Sequence, residues 1–118
     1  MKRYSDKTIM VTGGGGIGRA ISLRLADEGG TIAVLDKNGE AADETVRQVE
    51  AAGGRAETVN ADITDWDSVQ IAVTEAEQAL GALDGLINNA GDLGPRLHVG
   101  EYPPERFEEV LRVNVIGT

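Results

Sequence analysis

The sequence has no cysteine and only one histidine, His98, among its 118 residues. Without cysteine the chain can form neither a disulfide nor a zinc site with thiolate ligands, although this lack leaves the cellular compartment open. His98 lies between Leu97 and Val99 in a segment predicted to be a loop, and the pattern around it is not that of a metal site. We therefore predict that the protein holds no metal.

Basic residues and long apolar runs are also scarce. Eleven Lys and Arg stand against 20 Asp and Glu, and the net charge of −9 disfavours binding to the phosphate backbone of a nucleic acid. The apolar runs are too short to cross a membrane, and the first residues, MKRYSDK, lack the apolar core of a signal peptide. We therefore expect a cytoplasmic protein that binds neither nucleic acid nor membrane.

Short apolar runs alternate with segments whose apolar residues recur at helical spacing. The predicted strands are Lys7–Thr12, Thr31–Asp36, Ala56–Ala61 and Leu83–Asn88. Nearly continuous apolar cores in the first, second and fourth indicate strands buried on both faces. Three helices are predicted between the strands and a fourth near Pro103. The apolar side of the fourth helix consists of Phe107, Val110, Leu111 and Val115. This alternation predicts an α/β fold in which a parallel sheet is flanked by helices, with no internal domain boundary in residues 1–118.

A glycine-rich stretch, VTGGGGIGRA, lies where the first predicted strand passes into the first predicted helix. Its spacing fits G-x-G-x-x-G at Gly13, Gly15 and Gly18, in which the glycines allow a tight turn, close approach of backbone to a diphosphate, and close helix–strand packing. Asp36 ends the second strand 18 residues after Gly18, near the spacing of a carboxylate that binds ribose hydroxyls. Together these features favour a dinucleotide site over the alternative that Asp36 is only a surface acid.

Five short motifs resemble, in order, the landmarks of the short-chain dehydrogenase/reductase family. They are Thr12-Gly13, Gly16-Ile17-Gly18, Asp62-Ile63, Asn88-Asn89-Ala90-Gly91 and Asn114. The resemblance covers nearly the whole chain and implies a Rossmann-like, doubly wound parallel sheet with strands in the order 3-2-1-4. The family sheet continues beyond four strands, so the resemblance also implies a truncated fold, the N-terminal NAD(P)-binding half.

The resemblance implies that the glycine loop, including Gly15, Gly16 and Ile17, holds the diphosphate of a nicotinamide dinucleotide. The position of Asp36 favours NAD(H) over NADP(H), because a 2′-phosphate would meet like charge there. Lys37 beside it could offset part of that repulsion. Binding of NADP(H) therefore stays open as the alternative.

The family places Asp62 beside the adenine amino group, with Ile63 supplying backbone contacts, and it places Ala90 and Gly91 under the cofactor. Asn89 is assigned to cofactor binding by the same resemblance. Two of these residues have structural alternatives. Asp62 could be an acid at the start of a helix, and Asn89 could serve only to bind neighbouring backbone groups.

The glycine loop departs from the family pattern in length. Only Gly14 and Gly15 stand between the Thr-Gly pair and the Gly-Ile-Gly triplet, where the family has three residues. A short loop made of glycine has much backbone freedom to lose when it is ordered around a ligand. We therefore expect the free chain to bind the cofactor weakly.

The family's catalytic serine and its Tyr-x-x-x-Lys pair have no counterparts in the sequence. Arg106 follows Tyr102 by four residues, but Pro103 and Pro104 between them keep the two side chains off one regular helical face, so we interpret Tyr102 as loop packing. Only Asn114 matches the family's catalytic set. It lies on a stripe predicted to be buried, where it either holds a water of the proton relay or caps backbone groups of a neighbouring strand.

The fourth strand and fourth helix carry apolar surface that this fold leaves uncovered, which predicts a homo-oligomer, most simply a homodimer, formed through these elements. Three functions follow from the sequence. The favoured one is an NAD(H)-binding unit without turnover. The second is an NAD-dependent oxidoreductase that transfers hydride to or from an alcohol or carbonyl once the missing half is supplied, and the third is a minimised scaffold with no ligand.

Overall fold

The computed structural model describes residues 2–118, in which four strands and four α-helices alternate along the chain. The strands are β1 (Thr8–Thr12), β2 (Thr31–Asp36), β3 (Arg55–Asn60) and β4 (Gly85–Ile87). The helices are α1 (Gly16–Asp27), α2 (Gly39–Ala51), α3 (Trp66–Leu80) and α4 (Pro104–Leu111), the last continuing into a π-helical turn at Arg112–Ile116. All strands are parallel and lie in the order β3-β2-β1-β4, which confirms the predicted fold class and strand order.

The strand boundaries agree closely with the prediction except at the edge of the sheet. β2 has the predicted bounds, β1 begins one residue later than predicted, and β3 begins and ends one residue earlier. β4 is shorter than the predicted run of residues 83–88, because it pairs with β1 only over the register from Ile9↔Gly85 to Val11↔Ile87. The central strands are therefore long and regular, and the edge strand is short.

The centre of the sheet is covered on both faces. Val11, Ile32 and Val34 are fully buried, and on their side of the sheet apolar residues of α1 and α2 complete the core. On the opposite side Met10 and Leu35 pack with residues of α3. The prediction that the first two strands are buried on both faces is confirmed.

The same prediction is wrong for β4. Leu86 is 54% exposed, and no residue of α4 is buried. Phe107 and Leu111, on the predicted apolar side of α4, are 58% and 41% exposed. The reason is that β4 is an edge strand with a hydrogen-bonded neighbour on one side only, so its apolar pattern finds no cover among residues 2–118.

The end of α1 is tied to the beginning of the chain by a buried carboxylate. Glu28 is only 3% exposed, and its carboxylate accepts hydrogen bonds from the guanidinium of Arg3 and, at 2.7 Å, from Nε of Arg24. The backbone N–H of Tyr4 donates to the carbonyl of Glu28 at 3.0 Å. The bonds to Arg3 are the main cause that holds the pKa of Glu28 at about 2, below its ordinary value of 4.5.

Replacing this carboxylate should change how stability depends on pH. Because the pKa of Glu28 is depressed in the folded state, its contribution is present above about pH 5 and is lost as the pH falls towards 2. We expect wild type to lose more thermal stability than Glu28→Gln over that range, and Glu28→Gln to melt lower at pH 7. The measurement is the melting temperature from circular dichroism at several pH values. Glu75→Gln, at an exposed glutamate on α3, is the control, and equal acid dependence in wild type and Glu28→Gln would contradict the assignment.

Candidate functional site

The carboxyl ends of all four strands open into one cavity of about 230 Å³. The strand order reverses between β1 and β4, and open α/β sheets bind their ligands outside the carboxyl ends of the strands at such a point. Six of the predicted cofactor-binding residues line it, namely Gly13, Asp36, Asp62, Ile63, Ala90 and Gly91. Residues far apart in the sequence are thus brought to one place by the topology.

Two glycines of the glycine loop are required by the backbone. Gly13 has φ +87°, and a Cβ there would lie 2.7 Å from Nδ2 of Asn89. A Cβ on Gly18 would lie 1.7 Å from the carbonyl oxygen of Gly13, so only glycine lets α1 pack this closely on the turn. These are the two roles that the spacing predicts for the first and third glycines.

The start of α1 is open to a ligand. The helix begins at Gly16 with Gly15 as its N-cap, and no side chain accepts a hydrogen bond from its first amides. Gly16 is exposed, and the side chain of Ile17 is 73% exposed. The first N–H groups of a helix lack partners within the helix and carry the positive end of its dipole, so this end is chemically suited to an anion.

Asp36 faces both the cavity and the glycine loop. One carboxylate oxygen accepts from the backbone N–H of Gly14 at 2.7 Å, and the other accepts from the N–H of Asn38 at 2.8 Å. A carboxylate can accept about four hydrogen bonds, so both oxygens retain capacity for hydroxyl donors. The structure therefore places Asp36 where the spacing predicts it, and adds a bond to the loop that the spacing did not indicate.

Asp62 lies at the cavity wall but does not cap α3. Its carboxylate accepts from the hydroxyl of Thr64 at 2.7 Å and from the N–H of Thr64 at 2.9 Å, and these bonds lower its pKa. The cap of α3 is Asp65, which accepts from the N–H of Ser68 at 3.1 Å. The sequence left open that Asp62 is an acid at the start of a helix. In the structure it has a related structural role, because its bonds to Thr64 close the turn that precedes α3.

Asn89 is not among the residues that line the cavity, and it holds the turn after β1. Its Nδ2 donates to the carbonyls of Thr12 and Gly13 at 3.0 and 3.4 Å. In return the hydroxyl of Thr12 accepts from the backbone N–H groups of Asn89 and Ala90 at 3.1 and 3.0 Å. The structural alternative for Asn89 is present in the structure, while Ala90 and Gly91 face the cavity.

Asn114 is exposed, so the prediction that it lies on a buried stripe is wrong. The stripe has no cover because nothing in residues 2–118 packs over this side of α4 and its π-helical extension. The predicted need for a partner is nevertheless met. The amide of Asn114 donates to the carbonyl of Asp92 at 2.8 Å and accepts from the N–H of Asp92 at 2.7 Å, which fixes the loop that follows Gly91.

Sequence reasoning missed Asp92, which also lines the cavity. Its carboxylate accepts from the N–H of Gly94 at 2.7 Å and from Arg106 at 3.2 Å, and these bonds lower its pKa. Tyr102 packs against Gly94 in the same loop, in line with its interpretation as loop packing, and Arg106 pairs with Asp92 rather than Tyr102. The one available signal was the position of Asp92, directly after the motif that ends in Gly91.

Two kinds of feature are not found within residues 2–118. None of these residues form a cluster of three or more acidic or histidine side chains that could hold a metal ion. Over the same range no helix is both long enough and apolar enough to span a bilayer.

A methyl group at Gly18 should open the glycine turn. Gly18→Ala places a Cβ against the backbone of Gly13, and we expect it to lower the free energy of unfolding by about 3 kcal/mol because neither backbone can yield. Gly16→Ala is the matched control. A Cβ added at Gly16 would meet no other atom, so we expect only the strain of its φ of +50° to lower the free energy of unfolding, by about 1 kcal/mol. Urea denaturation measures both, and equal losses would contradict the close contact.

Comparison with known proteins gives a consistent result. The sequence model of the family described as short chain dehydrogenase matches residues 7–118. The chain is 44% identical over 117 residues to L-2,3-butanediol dehydrogenase of Corynebacterium glutamicum, covering 95% of this chain and 44% of that protein. It is 41% identical over 119 residues to 2,5-dichloro-2,5-cyclohexadiene-1,4-diol dehydrogenase of Sphingobium indicum, covering all of this chain and 46% of that one.

A solved structure shows the same architecture. The crystal structure of NAD+-bound xylitol dehydrogenase superimposes with a TM-score of 0.93 and 40% sequence identity, covering 98% of this chain and 45% of the xylitol dehydrogenase chain. The chain thus spans a little under half the length of the relatives that it matches.

Proposed function

The chain belongs to the short-chain dehydrogenase family, and we propose from this premise that residues 1–118 form a unit that binds NAD(H) in the cavity at the carboxyl ends of the strands. The observation that carries the proposal is the meeting of Gly13, at the start of the glycine loop, with Asp36, Asp62 and Gly91 at one cavity. A further support is the similarity to a dehydrogenase whose structure contains NAD+. When bound, a nicotinamide dinucleotide supplies a site that accepts or gives up a hydride.

The glycine loop would hold the diphosphate. The start of α1 has no capping side chain, and Gly15 and Gly16 put no side chain between the helix amides and a ligand. An anion there would receive hydrogen bonds from backbone N–H groups and would complement the helix dipole. The loop therefore fits the group that the fold family implies.

The adenosine half would lie between β2 and β4. Asp36 would accept hydrogen bonds from the ribose hydroxyls with the lone pairs that Gly14 and Asn38 leave free. Asp62 and Ile63 would contact the adenine. Ala90 and Gly91 also line the cavity, and because their side chains are small they would leave room for a flat ring.

Charge favours NAD(H) over NADP(H). Asp36, Asp62 and Asp92 line the cavity, and among residues 2–118 Lys37 is its one basic lining residue. A 2′-phosphate adds further negative charge to a wall that is already negative. Lys37 reduces the repulsion, so we place NADP(H) second.

The reaction of the whole protein would be hydride transfer between NAD(H) and an alcohol or a carbonyl compound. Residues 1–118 contain no match to the family's serine and Tyr-x-x-x-Lys, so we propose that this unit by itself binds the cofactor without turnover. The resemblance gives Asn114 a part in the proton relay. Its two bonds to the backbone of Asp92 support a role in holding the loop after Gly91 in place. A cytoplasmic location completes the proposal, since soluble nicotinamide dinucleotides are available there.

We also propose that the chain self-associates through β4 and α4. The observation in favour is the exposed apolar surface on these elements, which includes Leu86, Phe107 and Leu111. Exposed apolar patches and unpaired strand edges favour association with another chain. A scaffold without a ligand remains the competing function, and it shares this surface with the proposed one.

Titration with NADH, followed by its fluorescence, tests the proposed function. We expect saturable binding at or below a dissociation constant on the order of 1 mM, with weaker binding of NADPH. Asp36→Asn keeps an oxygen acceptor and removes the charge, so we expect the ratio of NADH to NADPH affinity to fall about tenfold. Asp67→Asn, at an exposed aspartate on α3, controls for net charge. No NADH binding in the millimolar range would overturn the proposal and leave the scaffold function.

Sedimentation velocity tests self-association. We expect wild type to sediment as a dimer at tens of micromolar, and Leu111→Asp to shift it towards monomer because a charge on α4 would have to be desolvated. Glu108→Gln, also exposed on α4, is the matched control. A wild-type chain that stays monomeric throughout this range would contradict the proposed interface.

A further inference from the structure

Gly14 is buried, and both of its polar backbone groups are bound by side chains from outside the loop. Its N–H donates to Asp36 at 2.7 Å, and its carbonyl accepts from the hydroxyl of Thr45. A Cβ at this position would lie 2.8 Å from Cα of Ala42 and 2.9 Å from its nitrogen. The shortened glycine loop therefore rests directly on α2, with no side chain between the two backbones.

The hydrogen bond from α2 to the loop is donated by Thr45. It is fully buried, and it packs in the part of α2 that also contributes Ala42 and Val49 to the core. Its hydroxyl accepts a hydrogen bond from Nε of Arg19 at 2.9 Å. Because arginine offers only donors, the hydroxyl proton is left for the carbonyl of Gly14, and the direction of that bond is fixed.

We propose that Thr45 is a positioning residue for the dinucleotide, which acts through Gly14 by holding the glycine loop on α2. The inference rests on the proposed function, since it concerns the same loop. Gly14 immediately precedes Gly15, the N-cap of α1. Fixing its carbonyl fixes the chain direction into the helix start, where the free amides would meet the diphosphate.

The physical need for such a residue comes from the loop's composition. Gly13 to Gly16 have no Cβ atoms to restrict the backbone, so an untethered loop would lose much conformational entropy on binding. Tethers at Gly14 remove that freedom before the ligand arrives. Asp36 supplies one tether, but it also lines the cavity, whereas Thr45 does not.

Removing the hydroxyl should therefore weaken diphosphate binding selectively. Thr45→Val keeps the shape of the side chain but leaves the buried carbonyl of Gly14 without its partner. We expect the affinity for ADP to fall about tenfold, because the diphosphate contacts the loop. The affinity for adenosine should change less than twofold, because its contacts are with Asp36, Asp62 and the strand ends.

NMR titrations with ADP and with adenosine give both dissociation constants for each variant, at a temperature where circular dichroism shows it folded. Thr45→Ser restores a hydroxyl and should return the ADP affinity to within about threefold of wild type. Thr58→Val is the matched control. It removes another threonine hydroxyl bonded to α2, at Asp43, away from the loop.

The outcomes separate this inference from the function on which it rests. If wild type binds neither ADP nor NADH, the proposed function fails and the inference falls with it. If wild type binds ADP and Thr45→Val binds it equally well, only the inference is overturned. Equal losses for ADP and adenosine, or no recovery in Thr45→Ser, would likewise overturn it, because they indicate general damage to the fold.

Discussion

Besides the bond from Thr45 of α2, the turn after β1 is held from three sides, and the arrangement of the site depends on it. From β4, Asn89 donates to the carbonyls of Thr12 and Gly13. From α1, Gly18 lies against Gly13, and from the end of β2, Asp36 binds the N–H of Gly14. Gly13, Asp36 and Ala90 line the cavity. The bonds that enclose this bare stretch of backbone therefore also hold part of the cavity wall in place.

Most of the fold could be predicted from the local pattern of apolar residues, because the central strands and their helices bury each other's apolar faces. Continuous apolar runs in β1 and β2 require cover on both faces, and the stripes on α1, α2 and α3 provide it. The expected burial fails at β4 and α4, the two elements whose apolar surface the strand order was also expected to leave uncovered. An apolar pattern indicates that burial of a residue is favourable, but it does not indicate which surface would cover that residue. Leu86 and Phe107 therefore fit the apolar pattern and are nevertheless exposed.

The candidate site could be predicted as a set of residues but not as a set of contacts. Spacing and resemblance predicted Asp36, Asp62 and Asn89 as cofactor-binding residues. All three are polar residues at or just after the ends of predicted strands. They did not indicate that Asp36 binds Gly14, and they left open whether Asn89 binds a cofactor or only backbone groups, as it does here. Such bonds are set by which carbonyls and amides the packing leaves unpaired, and that is known only when neighbouring elements are assembled. Thr45 was missed for the same reason, since a threonine in a helix gives no sign that it faces a loop.

The charge of the chain sets a limit on how the site can attract its proposed ligand. The net charge is −9, and a dinucleotide is itself an anion, so the protein as a whole would repel it. At physiological salt, charges more than about 8 Å away are largely screened, and the local groups then decide. Near the glycine loop this group is the positive end of α1, since Nε of Arg19 donates to Thr45, while Lys37 lies among three aspartates in the cavity. In the proposed complex the amides at the start of α1 would face the phosphates, and carboxylates would face the ribose hydroxyls. Affinity would then come from short-range hydrogen bonds made by a loop that its tethers hold in place, rather than from the protein's overall field.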